Sequence, residues 1–83
     1  MNEESVLQEL ENISTKLGVI VRYELGDFIG GLCRIDNAKF IIVNKKLPIS
    51  KKINVIAKEI SSLDIEDVFI LPVVKEIILK NAE

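Results

Sequence analysis

Hydrophobic residues recur at helical spacing in three segments of this 83-residue chain. Apolar side chains that are three or four residues apart lie on one side of a helix, and the pattern predicts helices over residues 3–17, 49–62 and 72–81. Asn2 is a suitable N-cap for the first helix, and Gly18 can adopt the left-handed conformation that ends it.

The boundaries of the second and third helices carry less regular signals. Pro48 suits the start of the second helix, whereas Ser50 is an alternative N-cap that would begin it two residues later. Asp64 is expected to open a turn and is also interpreted as a helix cap, and residues 65–71 fit either a short helix or an extended segment. Pro72 disfavours a helical residue before it and favours a helix after it.

Between the first two helices, runs of β-branched and aromatic residues predict strands over residues 19–25, 32–35 and 39–44. Residues 36–37 form a two-residue connection of the kind found in tight hairpins. The two glycines at residues 30–31 lack the motif of a phosphate-binding loop, so they predict a flexible joint, a β-bulge or a close strand approach.

The predicted order is therefore α-β-β-β-α-α, in a single α+β domain over residues 1–83 with a small three-stranded sheet packed on helices. Residues 40–43 are all apolar and so place apolar side chains on both faces of their strand. Val19, Val21 and Tyr23 share one face of the first strand, and we expect them to add to the uncovered sheet surface. The helices can cover only one face of the sheet, so apolar side chains remain uncovered on the other. This uncovered apolar surface predicts a homodimer, formed sheet face on sheet face or edge on edge.

Composition excludes several classes of function. The apolar content of 48% is too high for a disordered chain, and the net charge of −2 excludes a globally basic nucleic-acid binder. The absence of histidine excludes histidine-based catalysis and histidine-ligated metals. A single cysteine, an acidic N-terminus and the lack of a long apolar run indicate a cytoplasmic protein rather than a secreted or membrane one.

One segment carries a family resemblance. Its pattern is similar to the A-H-E-x-x-H helix of ImmA/IrrE-type zinc metallopeptidases, with Ala57, Lys58, Glu59 and Ser62 at the four motif positions. Residues 43–44 resemble the strand end that precedes this helix in the family, and residues 68–72 resemble its downstream F-A-x-x-L-L-x-P segment. The resemblance implies a truncated, degenerate zincin-like scaffold.

The two zinc-ligating positions of that motif are replaced. Lys58 stands at the first histidine and would repel a metal as a cation, while Ser62 at the second is a poor zinc ligand. We therefore expect no metal site, no cofactor, no catalytic residue and no peptidase activity. The alternative is that Lys58 and Glu59 are ordinary solvated helix residues and that Ala57 is simply a core residue.

A basic segment precedes and begins the second helix, and its four lysines are Lys45, Lys46, Lys51 and Lys52. Cations at a helix N-terminus oppose the helix dipole, and a helix start with several lysines can hold a phosphate or another anion. No aromatic residue or arginine is interleaved, which argues against nucleic-acid readout. The alternative is a solvated basic segment that maintains solubility.

The remaining candidate groups are interpreted structurally. Cys33 has no partner that could activate it and is expected to be a buried packing residue. The four aromatic residues, Tyr23, Phe28, Phe40 and Phe69, are expected in the core. A metal-free enzyme that uses Glu59 or Asp67 with a lysine is a further alternative.

The sequence thus favours a non-catalytic protein-association or regulatory module, a homodimer in the bacterial cytoplasm with a protein partner as a second option. The alternative function is a regulatory protein that binds anions or nucleic acid through the Lys45–Lys52 segment.

Overall fold

The structure is a computed structural model that describes residues 1–82, and its elements follow the predicted order α-β-β-β-α-α. The helices are α1 (Glu3–Lys16), α2 (Ile49–Ser61) and α3 (Pro72–Lys80), and the strands are β1 (Val19–Glu24), β2 (Gly30–Ile35) and β3 (Ala38–Asn44). The predicted α+β class with a three-stranded sheet is confirmed.

The predicted caps of α1 are confirmed. The side-chain oxygen of Asn2 accepts a hydrogen bond from the backbone N–H of Ser5 at 2.8 Å, which satisfies one of the free donors of the first turn. After Lys16, Gly18 adopts a positive φ of 77°, as expected for the residue that turns the chain out of a helix.

The boundaries of α2 and α3 differ in detail from the predictions. Pro48 occupies the N-cap position of α2, and Ser50 lies inside the helix, so the later start is wrong. Residues 65–71 contain turns rather than a helix. Asp64 accepts a hydrogen bond from the Glu66 backbone N–H at 3.1 Å and so opens a turn, as predicted, whereas the prediction that it caps a helix is wrong.

The sheet has the strand order β1-β3-β2, in which β3 is central, parallel to β1 and antiparallel to β2. Residues 36–37 form the predicted tight hairpin between β2 and β3, and Asp36 adopts a φ of 55° there. Residues 30–31 belong to β2, so the predicted joint or bulge is wrong and the close strand approach is the correct alternative. A Cβ added to Gly30 would overlap the backbone oxygen of Ile42.

One face of the sheet packs on the helices. Ile41 and Val43 of β3 are fully buried in the core, and register pairs them with Val21 and Tyr23 of β1. Val19, Val21 and Tyr23 therefore face the helices and not the uncovered surface, which corrects the prediction. The predicted alternation in β1 is correct, but the face predicted to be uncovered is the one that packs on the helices.

The helices form a layer over that face. Both α1 and α2 contact the sheet, while α3 packs on α2 and α1 through the buried Val74 and Ile78. Within residues 1–82, no helix is long and apolar enough to cross a membrane.

Three of the four aromatic residues lie outside the core, contrary to the prediction: Phe40 lies on the sheet face that the helices do not cover, and Phe28 and Phe69 lie in connecting segments. Phe69 is 76% exposed in the irregular segment before α3, and Phe28 is 38% exposed in the loop between β1 and β2. Both segments lack the alternation or helical period that would have assigned their side chains to one side.

Candidate functional site

The second face of the sheet carries apolar side chains that are not part of the core, and no helix of residues 1–82 packs on it. We call it the open sheet face. Strand alternation and register place on it the following residues: Ile20, Arg22, Glu24, Gly31, Cys33, Ile35, Ala38, Phe40, Ile42 and Asn44.

The centre of the open sheet face is apolar. Register aligns Ile20, Phe40 and Cys33 in one row across the three strands, and Ile42 lies in the next row. Ile20 and Ile35 are each 51% exposed, while Phe40, Ile42 and Cys33 are half-buried by their neighbours. Cys33 is therefore part of this surface rather than fully buried as predicted.

One charged pair flanks the apolar centre. The Arg22 guanidinium lies 3.0 Å from the Glu24 carboxylate and 5.6 Å from the centre of the Phe40 ring. Because Arg22 covers the ring and pairs with Glu24, it adds both signs of charge to the face without breaking its apolar centre.

A cavity of about 510 Å³ runs along the outer edge of β1. It is lined by Glu11 and Thr15 of α1 and by Val19, Ile20, Val21 and Tyr23 of β1. The Tyr23 hydroxyl donates a hydrogen bond to the Glu11 carboxylate, which ties α1 to the strand. Burial, together with the hydrogen bond to Glu11 and its negative charge, raises the pKa of Tyr23 above its usual range.

The basic segment is only partly available to a ligand. Lys45, Lys46 and Lys51 are exposed at the start of α2, but the Lys52 ammonium lies 5.5 Å from the centre of the Tyr23 ring. Glu3 and Glu4 of α1 line a small cavity together with Ile49, the first residue of α2. The acidic start of α1 thus lies beside the start of α2 in the same chain, which weakens the attraction of an anion.

The degenerate motif positions have ordinary helix environments. Ala57 is fully buried in the core, Lys58 is exposed and Glu59 is half-buried on α2. The Ser62 hydroxyl donates to the Glu59 backbone oxygen at 2.7 Å and ends the helix. Among residues 1–82, no three side chains of histidine, cysteine, aspartate or glutamate lie close enough together to hold a metal ion.

Comparison adds no relative to this description. No protein-family model, curated protein or solved structure matches the chain significantly. The assignment of a functional surface therefore depends on its own geometry.

The sequence places apolar side chains of residues 40–43 on both faces of their strand, but the prediction did not include Ile20 and Ile35 in the uncovered surface. The signal was present in the alternation of β1, where Ile20 is out of phase with the core residues Val19 and Val21. Only the strand order, with β3 in the centre, shows that the three strands contribute to one continuous surface.

Proposed function

We propose that this chain is a non-catalytic protein-association module that forms a homodimer through its open sheet face. The single observation that carries the proposal is the row formed by Ile20, Phe40 and Cys33, extended by Ile35 and Ile42. Monomeric proteins rarely expose contiguous apolar patches larger than a few hundred Å², and such patches usually mark interaction sites.

The distribution of charge favours a second copy as the partner. Arg22 and Glu24 place one positive and one negative group on the open sheet face. A two-fold axis through the face lets Arg22 of each copy approach Glu24 of the other copy. Two identical faces can therefore pack together without net charge repulsion. Sheets of this kind pack face to face at about 10 Å.

The chemistry around the face supports association rather than catalysis. The residues of the face provide a thiol, a guanidinium and a single carboxylate, without a histidine or a second carboxylate beside them. The half-buried Cys33 thiol in an apolar interface fits a reducing compartment, and we place the protein in the cytoplasm on that basis. The resemblance of the segment with Ala57 and Glu59 to a zincin-like helix enters this proposal only as a description of the scaffold. It assigns no metal and no catalytic role.

The proposal is tested by the mass of the chain in solution and by a charge placed in the centre of the face. Sedimentation equilibrium at tens of micromolar should show self-association of the wild type, and Ile42→Asp should remove the contact between faces. Leu79→Asp is the matched control because Leu79 is also exposed and apolar but lies on α3, away from the sheet.

A second variant keeps the test valid if Ile42→Asp destabilises the fold. Ile35 is 51% exposed at the end of β2, so Ile35→Lys should leave the circular dichroism spectrum unchanged and still weaken the contact. The proposal is wrong if the wild type is a monomer at tens of micromolar, or if both variants fold and associate as the wild type does.

A further inference from the structure

The outer edge of β1 provides a second surface, distinct from the open sheet face. β1 is at the end of the strand order, so only its β3 side has a strand partner within residues 1–82. The cavity of about 510 Å³ follows this edge, with Ile20 from one face of the sheet and Val21 and Tyr23 from the other among its lining residues. The edge is therefore accessible along the length of the strand.

The backbone groups that point to the free edge can be identified. The Lys45 backbone N–H donates to the Glu24 carbonyl at 2.9 Å, so the polar groups of Glu24 point toward β3. Because successive residues of a strand point their N–H and C=O to opposite edges, Val19, Val21 and Tyr23 direct theirs outward. In the described part of the chain, none of the backbone hydrogen bonds in turns, loops and caps involves these outward groups.

We infer that the outer edge of β1 pairs antiparallel with β1 of a second copy, about a two-fold axis at Val21. In this register Val21 lies opposite Val21 of the second copy, and Val19 lies opposite Tyr23. All three outward-pointing residues then exchange hydrogen bonds. An axis one residue away would pair one of the three with a residue outside β1, so Val21 gives the longest ladder.

Charge supports the same register. An axis at Arg22 would place the two arginines directly opposite each other, which destabilises a strand pair. With the axis at Val21, Arg22 lies instead opposite Ile20 of the second copy. In this register Glu11, which accepts a hydrogen bond from Tyr23, approaches the end of the second copy's α1. Lys16 lies there and carries the opposite charge. The edge is thus complementary to itself in backbone geometry and in charge.

This pairing extends the sheet to six strands and places the two open sheet faces side by side. It involves the edge of β1 and not the open sheet face, so it holds or fails independently of the proposed function. If both contacts form, two edge-paired dimers pack face to face and the assembly contains four chains.

A proline at the axis tests the edge without disturbing the strand's own ladder. Val21→Pro removes an N–H that points away from β3, and proline is tolerated in edge strands on the solvent side. We expect sedimentation equilibrium to show half the wild-type mass for Val21→Pro and an unchanged mass for Val21→Thr, which retains the N–H. Combined with Ile42→Asp, Val21→Pro should give a monomer.

A cross-link provides the second measurement and does not depend on the proline variant folding. Residues 20 and 22 of opposite copies form a non-hydrogen-bonded pair with Cα atoms about 4.5 Å apart, which is within disulfide range. In a Cys33→Ser background, an oxidised mixture of Ile20→Cys and Arg22→Cys chains should form a covalent dimer, and each variant alone should not.

The outcomes separate the two contacts. The edge pairing is overturned if the mixture does not cross-link and Val21→Pro retains the wild-type mass, whatever Ile42→Asp does; an extended segment of another protein would then be the occupant to test. Loss of mass with Val21→Pro but not with Ile42→Asp supports the edge and contradicts the proposed function.

Discussion

Ile41 and Ile42 are neighbours on β3, yet they belong to different surfaces of the molecule. Ile41 is fully buried beneath the helices, whereas Ile42 lies half-buried on the open sheet face. Successive side chains of a strand point to opposite faces, so these two adjacent isoleucines have different environments. Ile41 fills the core, and Ile42 is available to a partner.

This relationship predicts that truncation has unequal effects on stability. Ile41→Ala should lower the free energy of unfolding by about 2–5 kcal/mol, because it leaves a cavity in the core. Ile42→Ala should cost about 1 kcal/mol or less when unfolding is measured by urea denaturation at a protein concentration that keeps the chain monomeric. Equal losses for the two variants would mean that Ile42 is also part of the core.

Substitution by alanine should have unequal effects on stability at the two glycines of β2. Gly30 has a φ of 150°, and a Cβ there would overlap the Ile42 backbone oxygen and lie 2.9 Å from the Val55 side chain. Gly30→Ala should therefore lower the free energy of unfolding by about 2 kcal/mol or more.

Gly31→Ala is the matched control for that substitution. A Cβ at Gly31 has no heavy atom of the described residues within 4 Å outside its chain neighbours, so we expect a change within about 0.5 kcal/mol. Thermal unfolding of the two variants side by side decides the question. A mild effect at Gly30 would show that β2 and β3 can separate at little cost.

Tyr23 predicts a loss of stability at alkaline pH. Its hydroxyl is partly buried and bonded to Glu11, so the pKa of Tyr23 is raised in the folded chain despite the Lys52 ammonium over its ring. In the unfolded chain tyrosine ionises near pH 10. The stabilisation is therefore complete below about pH 10 and decreases as the pH rises above it, because only the unfolded state releases the proton readily.

The chain contains one tyrosine and no tryptophan, so the ultraviolet absorbance of tyrosinate reports on Tyr23 alone. The titration midpoint should lie above that of the urea-unfolded protein, and Glu11→Gln should move it down. Tyr23→Phe should flatten the alkaline part of the stability curve. A midpoint equal to the unfolded one would contradict the buried hydrogen bond.

The alternative function, anion binding at the basic segment, predicts a specific dependence on lysine. Because Lys52 contacts the Tyr23 ring, bound polyphosphate would be held by Lys45, Lys46 and Lys51. Replacing these three with Gln should abolish binding, and Lys52→Gln should change it little. Binding should also weaken as salt concentration rises. If the wild type does not bind polyphosphate at low salt, the segment is only a solvated surface.

Both histidines of the H-E-x-x-H pattern that this segment resembles are replaced, which predicts that zinc has no stabilising effect. Lys58 is a cation at the first ligand position, and the Ser62 hydroxyl already donates to a backbone oxygen. Purified protein should contain no stoichiometric zinc by elemental analysis, and a chelator should leave its melting temperature unchanged. Zinc that is removed only together with folding would overturn this prediction.

Local signals along the chain account for the helices and strands of this protein. Helical spacing of apolar residues, the Asn2 cap and the Gly18 turn are local signals, since each depends on residues within one or two turns of the chain. The hairpin at residues 36–37 is local in the same sense. The α+β class and the element order could therefore be predicted correctly, with boundary errors of one residue in each element except β2, which begins two residues earlier than predicted.

The strand order, and which face of the sheet the helices cover, depend on contacts between distant parts of the chain. Alternation in β1 separates Val19 and Val21 from Ile20 but does not say which set meets the helices. That choice depends on β3 pairing between β1 and β2, and on α1 returning over β1 so that Glu11 reaches Tyr23. Both the strand order and the covered face depend on contacts between residues far apart in sequence, and no local pattern predicts those contacts. The open sheet face and the free edge of β1, which carry the functional proposals, are consequences of that packing.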